Sequence, residues 1–137
     1  MTTARLLYWA STLLLSCMYL AAAAFYLSHR NEVEAGFVAF GFPAYLVRVL
    51  IVAKIAAPLA ILSRVSVRLS DLAYAGMFYH LLLALSAHLN AADGGFLPAI
   101  LALGLLALSF FSQNAARKTF SPNVPAWSPR TTSPGRA

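Results

Sequence analysis

The sequence predicts an all-α integral membrane protein, a four-helix bundle with a disordered C-terminal tail. Three observations carry that expectation. Four long apolar stretches, Leu6–Leu27, Ala44–Ser63, Leu69–Asn90 and Leu97–Ser112, fill most of the 137 residues. Hydrophobic residues make up 61% of the chain and charged residues 10%, against about 25% charged in soluble domains. Runs of Leu and Ala stand where a β-barrel would need alternation, so helices are left to satisfy the backbone in lipid. A bilayer core about 30 Å thick takes roughly 20 apolar residues per helix. The first three stretches reach that length and the fourth falls somewhat short. One transmembrane domain over 1–116 and a tail over 117–137 follow.

The basic residues set an expected orientation. Arg5, Arg64, Arg68, Arg117, Lys118, Arg130 and Arg136 flank the spans or sit in the tail, and Arg30 lies in a loop on the opposite side. Under the positive-inside rule, both termini and the Ser63–Ser70 loop are cytoplasmic. The His29–Phe42 loop and the Ala91–Phe96 turn then face outward. The net charge of +6 does not point to nucleic acid, because no basic face with interleaved aromatics is present. The expected partner is the lipid bilayer.

The first span has one alternative. Arg5, an apolar run and Ala21–Ala24 also fit a signal peptide, but signal h-regions run about 7–15 residues and this run is longer. Tyr8 and Trp9 near one end and Tyr26 near the other mark a retained span. Cys17, the single cysteine, excludes an intramolecular disulfide and a C-x-x-C motif; it is expected as a buried packing residue. The loop after this span carries His29, Arg30, Glu32 and Glu34, then turns apolar through Gly36, Phe40, Gly41 and Phe42. It is expected to re-enter the interface or to pack over the bundle mouth.

Pro43 opens the second span, a favoured place because its missing N–H is an orphan there anyway. Arg48 falls just over a turn below the outer surface and Lys54 near the middle. Pro58 leaves the Lys54 carbonyl without its helical partner, so a kink is expected. Such broken backbone survives at membrane depth only where protein or water covers it. Two readings of Lys54 stand side by side: a lysine snorkelling to the headgroups, or a buried functional cation.

In the third span Ser70 is expected as the N-cap, with Asp71 in the first turn against the helix dipole. At 100° per residue, Ala73, Gly76, Met77, His80, Ala84, Ala87 and His88 share one face; Phe78, Leu81, Leu82, Leu85 and Leu89 share the other. Small residues let helices approach closely, so the first face, with both histidines, is predicted to look into the bundle. Each histidine either bonds a neighbouring helix or belongs to a site. Antiparallel neighbours put Lys54 level with His80, and Arg48 level with His88. Lys54 and His80 would repel if both were charged. Glu32 or Glu34 is the expected counter-charge for Arg48, the alternative being a solvated loop acid.

The fourth span follows a turn with Asp93, Gly94 and Gly95 and carries Pro98 in its first turn. Nothing ionisable separates Asp93 from Arg117, so this helix reads as a packing partner. The tail holds Pro122, Pro125, Pro129 and Pro134 with Ser and Thr, a composition expected to stay disordered and to lie on anionic lipid, with Trp127 dipping into the interface. There is no H-E-x-x-H, nucleophile elbow or glycine-rich phosphate loop. No catalytic residue, metal site or cofactor is therefore assigned. His80 and His88 lie about 12 Å apart along one helix axis, which does not suit paired haem ligation.

The order of several short strings is informative. Gly41-Phe42-Pro43-Ala44-Tyr45-Leu46 is followed by Lys54-Ile55, then by Ala73-Tyr74-Ala75-Gly76 and Ser86-Ala87-His88. This pattern, over roughly Ser28 to Ser112, resembles the DoxX-like family of small four-helix bacterial membrane proteins. The resemblance implies a bacterial inner membrane and a redox setting, since some relatives in the wider group are associated with membrane oxidoreductases that pass electrons to quinone, or with redox-stress complexes. Three functions are carried forward. One is a redox-associated subunit holding a lipophilic, quinone-like molecule, with Lys54 and His80 as hydrogen-bond or proton partners and a membrane redox partner. Another is a transporter or proton-conducting module along Arg48, Lys54, His80 and His88, working as a homo-oligomer. The last is a structural or assembly subunit.

Overall fold

A computed structural model describes residues 2–125. Five helices are present among them: α1 Thr3–Ser28, α2 Arg30–Ala39, α3 Leu46–Ser63, α4 Val67–Ala91 and α5 Leu97–Ser112, the last extended by a 3-10 turn at Gln113–Ala116. Four of these are long and apolar enough to cross a membrane, namely α1, α3, α4 and α5 with its turn. They form a square: α1 touches α3 and α5, and α4 touches the same two. Thus α1 and α4 face each other across the diagonal. Leu15, Tyr19, Ile61, Met77, Leu81, Ala102 and Leu106 build the core between them. Outward lie exposed Leu13, Leu14, Val52, Leu59, Leu83 and Leu101, a girdle of the kind that meets acyl chains rather than water.

The segment expected as an irregular loop contains a helix. Residues 30–39 form α2, with Glu32 in its first turn and an Arg30–Glu34 ion pair of 2.8 Å at i, i+4. Both features support a short helix. Gly41, at φ +85°, turns the chain out of it. Phe37 meets Tyr26 edge-on and Phe40 meets His88 edge-on, so α2 covers the bundle mouth. Pro43 lies ahead of α3 rather than within it, in a turn where the Leu46 N–H donates to the Pro43 carbonyl. Pro58 is fully buried inside an unbroken α3.

Four further expectations change. The cap of α4 is Ser66, whose Oγ accepts from the Leu69 N–H at 3.4 Å; Ser70 is buried inside the helix and donates to the Ala60 carbonyl. The inward face of α4 is Ser70, Tyr74, Met77 and Leu81, while Gly76 is exposed. The face turns because α4 packs on α3 and α5 at once, and the Tyr74 hydroxyl reaches Ser109 of α5 at 2.6 Å. Cys17 is exposed on the girdle. Tyr8, read as an interface aromatic, is wholly buried with a hydroxyl that has no partner.

The terminus beyond α5 also differs from its composition. Residues 117–125 are docked on the bundle. Asp71 is the reason: it accepts from Gln113 Nε2 at 3.2 Å, Ser121 Oγ at 2.6 Å and Asn123 Nδ2 at 3.0 Å. Asn114 completes the clasp by donating to the Ser121 and Val124 carbonyls and accepting from the Ser121 N–H. Asp71 therefore holds this segment instead of capping α4. The expected disorder of the rest of the tail, and the placement of Trp127, fall outside the described residues.

At the opposite end a tight clamp joins α4 to α5. His88 Nδ1 lies 2.8 Å from Asp93 Oδ2, and the Gly95 N–H donates to Asp93 Oδ1 at 2.8 Å. A Cβ at Gly95 would come within 2.7 Å of His88 Nδ1, so a larger residue there would push the ring away. The Gly95 N–H first, and His88 second, hold the Asp93 carboxyl below the usual carboxylate range.

Two outcomes are expected. Asp71→Ala removes bonds to a charged acceptor, of about 1.5–3 kcal/mol in kind. Trypsin cleavage after Arg117 or Lys118 should accelerate about tenfold or more, while α-helical circular dichroism is retained; unchanged cleavage would show that the clasp does not hold the segment. Secondly, because the folded Asp93 pKa is depressed, its contribution is present above the unfolded value of about 3.9 and is lost as pH falls through the folded one. An NMR titration of the Gly95 amide in micelles should show a midpoint below the ordinary carboxylate value. A midpoint at or above it contradicts the clamp.

Candidate functional site

The core of the bundle holds one lysine and no carboxylate beside it. Lys54, on α3, is 6% exposed. Its Nζ lies 3.3 Å from His80 Nε2 of α4. His80 Nδ1 lies 3.1 Å from the Tyr19 hydroxyl of α1, which donates to the Met77 carbonyl at 3.3 Å. Donor accounting assigns the protons. A tyrosine hydroxyl has one proton; here it goes to Met77, so its oxygen accepts from Nδ1–H of His80. Nε2 is then the free lone pair and accepts from Lys54. The relay reads Lys54 N–H to Nε2, Nδ1–H to Tyr19, O–H to a helix carbonyl.

Aromatic faces surround the rest of the amine. Nζ lies 4.9 Å from the Tyr26 ring centre and 5.3 Å from that of Tyr19, a setting that favours a cation. The chain has four acidic residues, and all are placed elsewhere. Asp71 holds the terminal segment, Asp93 the α4–α5 turn, and Glu34 pairs with Arg30; Glu32 is exposed in the first turn of α2. A charge at membrane depth costs several kcal/mol unless it is paired or wetted, and here the partners of Lys54 are an imidazole and two rings rather than a carboxylate.

Space exists for an acceptor. A cleft of about 350 Å³ runs between α3 and α4, with Tyr19, Lys54 and His80 at its head, at the small end of the range for small-molecule pockets. Small residues on the facing helices, Ala53, Ala57, Ala73 and Gly76, make it. Its walls include Leu69 and Leu72, 46% and 69% exposed, so it opens sideways through the apolar girdle. Behind the relay a second cavity of about 230 Å³, lined by Tyr26, His88 and Pro98, also touches Lys54 and His80. A third, of about 190 Å³, lies under Phe37, Phe40 and Phe42 and again reaches His80.

Of the residues singled out from the sequence, the structure brings together Lys54 and His80. His88 is engaged by Asp93 and reaches the neighbouring cavities alone. Arg48 is exposed and stands apart from the cluster. The counter-charge expected for it from Glu32 or Glu34 is not seen among the described residues: α2 folds as a helix and gives Glu34 to Arg30, and Glu32 is exposed. Sequence reasoning missed Tyr19, and it read Tyr26 as an interface anchor. The available signal was a tyrosine at mid-span within an otherwise apolar run, where its hydroxyl needs a partner. It also missed a buried hydroxyl network, in which Ser109 Oγ meets both Thr12 Oγ1 and the Tyr74 hydroxyl at 2.6 Å. Among the described residues, no three His, Cys, Asp or Glu side chains are grouped to hold a metal ion.

No curated protein and no solved structure matches the chain. The model of the DoxX-like family matches residues 10–112, a stretch that runs from the first turns of α1 to the end of α5 and includes every member of the relay. With four helices fit to cross a membrane and this match over most of its length, the chain belongs to the DoxX-like family.

Proposed function

We propose that this protein is a small membrane subunit that holds a lipophilic, quinone-like molecule in the cleft between α3 and α4 and presents it to a membrane redox partner. One observation carries the reading: a buried lysine amine without a carboxylate stands at the head of an apolar cleft that opens toward lipid. A quinone carbonyl is an acceptor without charge, soluble in acyl chains, and complementary to Lys54 N–H. His80 would orient the amine and exchange a proton with it at Nε2, while Tyr19 would hold the imidazole in place. The positive-inside distribution supports an inner-membrane setting with the end bearing Arg5, Arg64, Arg68 and Arg117 in the cytoplasm.

A second reading, proton conduction, draws on the buried hydroxyls of Thr12, Ser109 and Tyr74, which bond one another as a separate polar group in the bundle. Proteoliposomes distinguish it. Conduction requires proton flux that Lys54→Ala or His80→Ala abolishes; a subunit of the first kind shows none.

In nanodiscs, a short-chain quinone analogue should bind saturably. Lys54→Met should weaken it about 10- to 100-fold, the worth of a hydrogen bond from a charged donor. Gly76→Leu should occlude the cleft while leaving the relay intact, because Gly76 has open space where a side chain would go. Binding that is absent from the wild type, or indifferent to both substitutions, overturns the proposal.

A further inference from the structure

A second unpaired cationic site lies at the other depth of the molecule, where α3 turns into α4 and α5 runs out. A concavity of about 490 Å³ is lined there by Ser63, Arg64, Arg117, Lys118 and Thr119. Arg117 is 8% exposed, and its Nε and Nη2 have no hydrogen-bond partner. Arg64 donates from Nη2 to the Ala116 carbonyl and sits over the Trp9 ring at 5.5 Å, yet its Nε is also buried without a partner. A guanidinium carries five donors and cannot shed its charge. Leaving such donors buried and unpaired is costly, so the arrangement calls for acceptors.

The described residues do not supply them. Asp71 is the acid of this end, and Gln113, Ser121 and Asn123 occupy its oxygens. It lines a different cavity, with Tyr74 and Phe78. Three cations, two hydroxyls and no carboxylate converge on one concavity. Planar guanidinium forks match a tetrahedral oxyanion, with lysine as a point charge beside them.

We propose that this concavity binds a phosphate group. The shared chemistry is a phosphate mono- or diester oxyanion held by Arg117 and Arg64, with Lys118 at the rim. The site lies where the girdle ends, at headgroup depth, so an acidic phospholipid and free inorganic phosphate are the two sources to separate. The clasp on Asp71 gives the site its second wall, because it fixes residues 117–119 against the α3–α4 turn.

The test uses the full chain. In nanodiscs of mixed phosphatidylglycerol and phosphatidylcholine, followed by delipidation and native mass spectrometry, phosphatidylglycerol should be retained over phosphatidylcholine. In detergent without lipid, inorganic phosphate should raise the unfolding temperature if free phosphate is the source. Arg117→Gln and, separately, Lys118→Gln should each cut retention or phosphate protection about tenfold. Lys118 is exposed, so the second variant keeps the fold if the first disturbs the clasp. The exposed pair Arg5→Gln and Arg68→Gln, outside the concavity, should leave binding unchanged. Retention of phosphatidylglycerol assigns a headgroup site, and phosphate protection alone assigns a free-anion site. Absence of both overturns the proposal. So does an equal loss in the Arg5/Arg68 double variant, which would reduce the effect to surface charge.

Discussion

A single lysine amine in an apolar bundle organises the centre of this molecule. Lys54 has no carboxylate to answer it, and a lysine at membrane depth must find partners or be destabilising. The bundle answers with one imidazole from α4 and two tyrosine faces from α1. Those helices are thereby tied at one level, since α1 and α4, which are diagonal neighbours, meet through Tyr19 and His80. The arrangement satisfies the amine only in part, and the remaining donor capacity faces a cleft. Structure and candidate function rest on the same deficit.

Buried polar groups elsewhere follow a different rule. Thr12, Ser109 and Tyr74 complete one another with two short hydrogen bonds and bind α1, α4 and α5 together. Closed networks of this sort specify packing in lipid, where apolar surfaces alone do not distinguish one helix face from another. They explain why α4 is rotated so that Tyr74 rather than Gly76 is buried. The small residues expected at the interface line the cleft instead, and their smallness makes space there rather than close contact.

The two ends of the bundle are closed by different chemistry. At one, α2 and the turn after it lay Phe37, Phe40 and Phe42 over the mouth, and the His88–Asp93–Gly95 clamp fixes the α4–α5 turn. At the other, arginines gather and one aspartate is spent on holding residues 117–125. Arg64 closes α3 in the left-handed conformation at φ +55°, which costs about 1–2 kcal/mol in a non-glycine residue and keeps a guanidinium rather than a hydrogen atom at that corner.

The spans, their number and the depth of Lys54 and His80 were legible in the sequence. They depend on hydropathy, on the 1.5 Å rise per residue and on the antiparallel link between neighbouring spans, all local quantities. The same reasoning was silent on Tyr19 and mistaken on Asp71, Ser70 and Cys17. Which face of α4 turns inward depends on a hydroxyl of another helix, and which acid meets which base depends on whether residues 30–39 coil. Hydrogen bonds to the Asp71 carboxylate decided that Ser121 and Asn123, in a proline-rich segment, would dock on the bundle. The chain alone therefore determined that it would form membrane-spanning helices with ionisable side chains among them, because transfer free energies add along a sequence. Only the packed helices decided what those groups would touch, because hydrogen bonds between helices are made by side chains far apart in the chain.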